Sequence, residues 1–197
     1  MEKRQAIIQA ATALFGSTGF DGTTTLAIAN EANVTEPLIF YHFSGKHELF
    51  THILELAFNQ YFSHIDKLPK RTSTEFQKIS AVIDLHFRIV DELPEQARLI
   101  VTTCPAKLYD SNDICRKKYV EARRRLSSYI NGCLARGIKK GEFIEFAIPE
   151  TTHMLLALLN GLLRQRIFQL ADTDTEGVKD ATIGFVRRSL TGNCAIQ

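Results

Sequence analysis

Apolar residues recur every three or four positions along nearly the whole chain, and the interruptions fall at glycine, proline and short polar clusters. Ile7, Ile8, Ala11, Leu14 and Phe15 predict a helix over 3–18 that stops at Gly16-Ser17-Thr18-Gly19. Phe20 then packs in the connection and Gly22 lets it turn. Further on, Leu49, Phe50, Ile53, Leu54, Ala57, Tyr61, Phe62 and Ile65 predict a long helix from Lys46 towards Lys67. Leu68-Pro69-Lys70-Arg71-Thr72-Ser73 is a linker, and Thr72 with Glu75 has capping-box spacing at the start of the next helix. That helix is apolar on more than one face between Phe76 and Val90, which puts it at the centre of a core.

The pattern continues with a helix over Glu95 to Tyr109 that should kink or end at Pro105, since proline lacks an N–H and obstructs the carbonyl four residues back. Ser111 or Asn112 opens a long amphipathic helix to Arg136, closed by Gly137. After a turn at Gly141 to Phe146, Pro149 takes the first position of a helix reaching towards Ala171. Thr173 with Glu176 caps the last helix, which carries Val178, Ala181, Ile183, Phe185, Val186 and Leu190. The reading is all-α, with about nine helices.

Residues 24–43 hold two short helices joined by a tight turn. Thr24 and Thr25 open the first, where a hydroxyl accepts from an orphan N–H; Ile28, Ala29 and Ala32 give it a small apolar face. Asn33 tolerates the left-handed backbone of a sharp reversal, and Val34 follows as a pin. Thr35 is placed to cap the second helix, with Glu36 near its positive end and Pro37 in its first turn. Ile39 and Phe43, four apart, face inward. Pro37 and Tyr41 then occupy the opposite face, with Leu38 and Phe40 on its shoulders. An outward face this apolar suits contact with something, and a helix-turn-helix lays its second helix in the DNA major groove.

Gly19-Phe20-Asp21-Gly22-Thr23-Thr24 with Ile28-Ala29, Val34-Thr35, Ile39-Phe40-Tyr41-His42-Phe43, and Lys46 with Glu48-Leu49-Phe50 resembles the N-terminal signature of the tetracycline-repressor (TetR) family, over roughly residues 5–52. The resemblance implies a helix-turn-helix domain at 1–47 and a ligand-binding and dimerisation domain at 48–197. It implies a homodimer whose recognition helices enter successive major grooves of a palindromic operator, about 34–36 Å apart. A small molecule in the C-terminal core would favour a state with the wrong separation. Thr24 and Thr25 would bond phosphates, Thr35, Phe40, Tyr41 and Lys46 would fix the recognition helix, and Glu36, Pro37 and Leu38 would lie nearest the bases, with Leu26 and His42 beside them. Three positions depart from the family pattern. Phe40 stands where a tyrosine is frequent, Leu26 where a polar or basic residue is usual, and Asn33 where glycine is common. Specificity then leans on methyl contacts and DNA shape, with Glu36 able to accept from a cytosine amine.

Composition changes this picture little. The 197 residues, 45% apolar and 23% charged, are ordinary for a globular protein of one or two domains. The apolar run Met154 to Leu163, broken by Asn160, is far short of the ~20 residues of a bilayer span. With no secretory segment after Met1, a cytoplasmic location is expected. The four cysteines, Cys104, Cys115, Cys133 and Cys194, include no CxxC pair, so reduced thiols are expected, a sensor role for Cys104 or Cys194 being the alternative. His42, His47, His52 and His64 form no metal-ligand spacing; no metal, cofactor or catalytic group is expected.

In the C-terminal part, His86, Tyr109, Tyr119, Arg123, His153 and Asn160 are the polar residues expected to orient an apolar or amphipathic effector. His86 and His153 read as core histidines, and Arg123 as the member of a basic helix that turns inward. The leucines at 155, 156, 158, 159, 162 and 163 wrap a helix nearly all round, so a partner subunit is the economical cover. Leu155, Leu158, Leu159, Leu162, Gly161 and Phe185 form the expected interface of a four-helix bundle between two copies; in the other case the last helix covers the leucines of a monomer.

Two functions remain in view: a ligand-responsive DNA-binding repressor, and an all-helical enzyme or small-molecule carrier that retains the N-terminal corner. Charge bears on the choice. Residues 1–50 carry three basic side chains (Lys3, Arg4, Lys46) against five acidic ones, a balance of −2. Phosphates must then be held by hydroxyls, backbone N–H groups and helix N-termini. Titration against duplex DNA over a range of salt should therefore give a shallower dependence of log K on log salt than a basic repressor shows.

Overall fold

The computed structural model describes residues 2–71, 74–107, 113–170 and 174–192, with the side chains of 102–107 outside that set. Among them run nine α-helices and no strand: α1 (Glu2–Gly22), α2 (Thr25–Glu31), α3 (Glu36–His42), α4 (Lys46–Asp66), α5 (Glu75–Glu92), α6 (Pro94–Lys107), α7 (Ile114–Lys139), α8 (Ile148–Ile167) and α9 (Thr175–Thr191). The all-α expectation therefore holds. No helix of the described residues is long and apolar enough to cross a membrane.

Several helix ends differ from the sequence reading, each for a local reason. α1 runs past the expected stop as far as Gly22, and the break is a single residue, Gly19, at φ 75°. Glycine alone adopts that conformation without steric cost, so Gly19, rather than Gly22, makes the turn. The expected cap Thr72 lies outside the described residues. The capping box is instead Thr74 with Gln77: Gln77 N–H donates to Thr74 Oγ1 at 3.1 Å, and Thr74 N–H to Gln77 Oε1 at 2.9 Å. α6 continues through Pro105 to Lys107. The proposed starts of α7 at Ser111 or Asn112 are also outside the described set; Asp113 Oδ1 accepts from Cys115 N–H at 2.7 Å there. α9 is capped by Asp174, which accepts from Glu176 and Gly177 N–H, while Thr173 is not described. Gly137 does not close α7. It lies inside the helix because the Phe143 ring packs on it: a Cβ there would sit 2.1 Å from Phe143 Cδ2.

The chain divides into two compact units. The first comprises residues 1–62 and 93–121. Its core is Ile7, Ile8, Ala11, Phe15, Ile28, Ala29, Ile39, Phe43, Leu49, Phe50 and Ile53, all buried. Phe50 meets Phe15 and Phe20 edge-on, with centroids 5.1 and 4.9 Å apart. α1 packs along α6, with Gly16 set against the Glu95 carbonyl and the Arg98 side chain.

The second unit comprises residues 63–92 and 122–197. α5 is its centre, packed against both α8 and α9 and buried on several faces, as its pattern predicted. Leu155, Leu156 and Leu159 turn into this core. Leu155 and Leu159 are thereby withdrawn from the expected dimer surface, since α5 already covers that side of α8. Met154 (71% exposed), Ala157, Leu158 and Gly161 remain outside, Leu162 is half-buried, and Phe185 on α9 is 58% exposed.

Glu75 opens α5 and is wholly buried. Its carboxylate accepts from Lys140 Nζ at 2.7 Å, Lys78 Nζ at 3.1 Å and Arg136 Nε at 3.1 Å. Glu142 accepts the Glu75 and Phe76 N–H groups at 3.0 and 2.8 Å, so α7 and the turn after it grip the start of α5. Burial pushes the Glu75 carboxyl up, but the Lys140 and Lys78 hydrogen bonds and the Arg136 charge outweigh it and hold it below its ordinary 4.5. A group depressed in the folded state stabilises above its unfolded value and loses that stabilisation as pH falls. Urea unfolding of the full chain should show declining stability as pH drops below 4.5. Glu75→Gln should flatten that acid limb and lose roughly 3–5 kcal/mol at neutral pH, because Lys78 is left buried without its counter-charge.

Candidate nucleic-acid interface

α2 and α3 are seven residues each, too short to hold together alone, so neighbours must place them. Thr24 caps α2, accepting from Ala27 N–H at 3.0 Å. Thr23, buried, donates to Gly19 O at 2.7 Å and meets the Thr18 hydroxyl at 2.8 Å, which pins the corner between α1 and α2. At the turn Asn33 adopts φ 51°, the left-handed conformation expected of it, and Val34 N–H reaches back to Ala29 O at 2.9 Å. Pro37 sits in the first turn of α3. Thr35 occupies the cap position, but its hydroxyl makes no capping bond, contrary to expectation, and it is exposed.

Ile39 and Phe43 are buried, and the face they leave is open. Tyr41 is 79% exposed, Phe40 53%, and Leu26 on α2 56%. Pro37 is exposed, Leu38 half-buried, and the half-buried His42 ring stands edge-on to Tyr41 at 5.0 Å. No lysine or arginine occurs between residues 25 and 42. The surface is thus a tyrosine phenol and threonine hydroxyls set among apolar groups.

Two residues expected to face phosphate or bases are engaged within the protein. Thr25 Oγ1 donates to Glu36 Oε1 at 2.6 Å, tying the start of α2 to the start of α3. Lys46 Nζ donates to the Phe20 and Thr23 carbonyl oxygens, each at 2.9 Å, and lies 4.3 Å from the Phe20 ring centroid. It braces the α1–α2 corner from the start of α4. A pairing absent from the sequence reading is that of Arg4, whose guanidinium meets His52 Nε2 at 3.2 Å and covers the Phe43 ring at 5.0 Å. The partners are 48 positions apart, so no local pattern announces them. Ser44 N–H donates to Glu48 Oε2 at 2.7 Å, and the Ser44 hydrogen bonds hold that carboxyl below its ordinary value.

The six expected effector contacts fall at differing depths. His86 is buried in α5, Tyr119 is half-buried in α7 within the first unit, and Asn160 is half-buried in α8; Tyr109 lies outside the described residues. His153 is exposed rather than in the core, and Arg123 is exposed rather than inward, its Nη2 donating to His153 Nδ1 at 2.7 Å. Ala122 and Leu126, both buried, claim the inward row of α7 and turn Arg123 about 100° away.

A family model described as bacterial regulatory proteins, tetR family, matches residues 7–53, the stretch containing α2, α3 and their braces. That stretch is thus a tetR-type segment. The fatty acid metabolism regulator protein of Bacillus subtilis is 26% identical over 143 residues, 73% of this chain and 72% of that one. Among solved structures, the fold is similar to that of the regulator FadR from Bacillus subtilis in complex with stearoyl-CoA, with TM-score 0.73, 19% identity, and coverage of 95% and 99%. AibR in complex with isovaleryl coenzyme A and operator DNA gives TM-score 0.73, 13% identity, and coverage of 94% and 98%.

The bracing role of Lys46 can be separated from a phosphate contact. Lys46→Met keeps the stem on Phe20 but strips two carbonyls of their donor, and should cost roughly 1–3 kcal/mol in thermal or urea unfolding. DNA titrations with this variant should weaken with an unchanged salt slope. A slope lower by about 1 would instead mark Lys46 as a phosphate ligand.

Proposed function

We propose that this protein is a ligand-responsive, DNA-binding transcriptional repressor acting as a homodimer in the cytoplasm, with α3 as its reading helix. The observation that carries the reading is the two-sidedness of α3: Ile39 and Phe43 are buried while Tyr41 and Phe40 stand 79% and 53% exposed. A solvated helix has no use for that face, whereas bases offer methyl groups and π surfaces to it. Segment 1–47 then contacts DNA, and segment 48–197 carries the effector and dimer functions. Thr24, Thr35 and Tyr41 supply hydroxyls for phosphates, and Pro37 and Leu38 face the bases; Glu36 reads a base only by exchanging its bond with Thr25.

The dimer reading is supported by the apolar row that α8 leaves uncovered, Met154, Ala157, Leu158 and Gly161, and by Phe185 on α9. For the effector we propose a coenzyme A thioester. The fatty acid metabolism relative and the two acyl-CoA complexes of similar fold support this class, as does an amphipathic demand made by a leucine-rich unit beside a basic α7. Binding would act through unequal affinity for two conformations, a coupling of typically 1–3 kcal/mol. No chemistry is performed on the ligand.

Fluorescence anisotropy with the intergenic DNA flanking the gene is the test. Saturable binding to a palindrome, lost by tenfold or more in Tyr41→Ala and reversed by acyl-CoA, is expected. Absence of binding at low salt would leave the small-molecule carrier as the reading.

A further inference from the structure

Arg4 on α1, the Phe43 ring at the C-terminal end of α3 and His52 on α4 meet at one point behind α3. The Arg4 guanidinium lies 5.0 Å from the Phe43 ring centroid, its Nη2 is 3.2 Å from His52 Nε2, and the His52 ring stands 5.7 Å from the Phe43 ring. Phe43 is 3% exposed and its N–H closes α3 on the Ile39 carbonyl oxygen at 2.9 Å, so what holds that ring holds the helix end. A guanidinium can only donate, so Nε2 must accept. The His52 proton then sits on Nδ1 and the ring is neutral. A second proton would turn Nε2 into a donor pointed at a cation, and the bond cannot survive it. Glu48, one turn earlier on α4, offers the displaced ring another partner. Its carboxylate feels the charges of both His52 and Arg4, and it accepts the Ser44 N–H at 2.7 Å. Glu55, three residues beyond His52, is exposed.

We propose that His52 is a proton-sensitive positioning residue for α3: neutral, it ties Arg4 across Phe43; protonated, it turns from Arg4 to Glu48, frees the end of α3 and weakens the hold on DNA. The inference rests on reading α3 as the DNA-contacting helix and adds the condition under which that helix is braced. The direction follows from the bond itself. It exists only while the imidazole is neutral, so it is present at high pH and lost as pH falls through the range in which histidines take up a proton. Two charged groups meet His52 among the described residues, Arg4 from α1 and Glu48 from α4, and both drive the exchange the same way. The imidazolium is repelled by the first and attracted by the second. The end of α3 presents the neutral Phe43 ring. His42 and His47 also lie in the N-terminal segment, where a positive charge would favour DNA, so the effect is read against a variant altered at His52 alone.

Full-length protein would be titrated against the flanking intergenic DNA at about pH 8 and about pH 5.5, either side of the histidine range, at one ionic strength. His52→Gln keeps an acceptor for Arg4 and does not titrate. The affinity of the unaltered protein, divided by that of His52→Gln, should fall roughly threefold from the higher pH to the lower, the worth of a modest hydrogen bond. Arg4→Met, which leaves a stem on Phe43 but no donor, should show no such fall. Without DNA, the Phe43 amide of the unaltered protein should exchange roughly threefold faster than that of His52→Gln at the lower pH and equally at the higher. Ring ¹⁵N shifts at the higher pH should place the His52 proton on Nδ1. A proton on Nε2 overturns the assignment, even if a variant fails to fold. If DNA binds as expected but the unaltered protein and His52→Gln give parallel pH curves, the His52 role fails and the DNA reading stands. If no DNA binds at either pH while the Phe43 exchange and the Nδ1 proton are as expected, the DNA reading fails and the coupling of His52 to α3 stands.

Discussion

The demand that a seven-residue helix be anchored from one side only governs the N-terminal unit. α3 has two inward side chains, Ile39 and Phe43, and no length to spare for more. Everything that fixes its attitude is borrowed: the Asn33 turn, the Thr25–Glu36 bond, Arg4 over Phe43, and Lys46 bracing the corner behind it. The polar groups that might have faced outward are drawn into this scaffold. The exposed face is left to Tyr41, Phe40, Pro37 and Leu26, a surface almost without charge. Affinity on such a face comes from fit and from hydroxyl donors more than from counterion release.

The second unit solves a different problem with a different device. α5 is apolar on several sides, so hydrophobic burial places it in the core but fixes neither its rotation nor its start. The buried Glu75, held by Lys78, Arg136 and Lys140, supplies that register, and Glu142 satisfies the first N–H groups of the helix. Buried charge of this kind adds little net stability but penalises every arrangement that separates the partners. His86 lies three turns further along the same helix, buried, with Nδ1 donating to the Val82 carbonyl oxygen.

The helix-turn-helix was legible because its signals are local. Capping by Thr24, the left-handed Asn33, and the four-residue spacing of Ile39 and Phe43 all act within one or two turns. The depth of the expected effector residues was less legible. His153 sits among leucines in sequence, yet α8 has an outer row as well as an inner one, and the histidine falls on the outer one. The leucines misled in the same way: Leu155 and Leu159 look like their neighbours at 158 and 162, and only the side on which α5 lies tells them apart.

The sequence by itself determined nine helices, the reversal at Asn33, and which face of α3 is left open, because spacing along a helix is a one-dimensional quantity. The tertiary structure alone decided that α6 packs on α1, that Lys46 and Arg4 are braces, that Gly137 makes room for Phe143, and that Glu75 gathers three cations from α5, α7 and the turn after α7. Those contacts join residues as distant in the chain as Gly16 and Glu95, or Glu75 and Lys140. A side chain such as lysine is equally suited to water, a phosphate or a carbonyl, and only the position of the other chain segment selects among them.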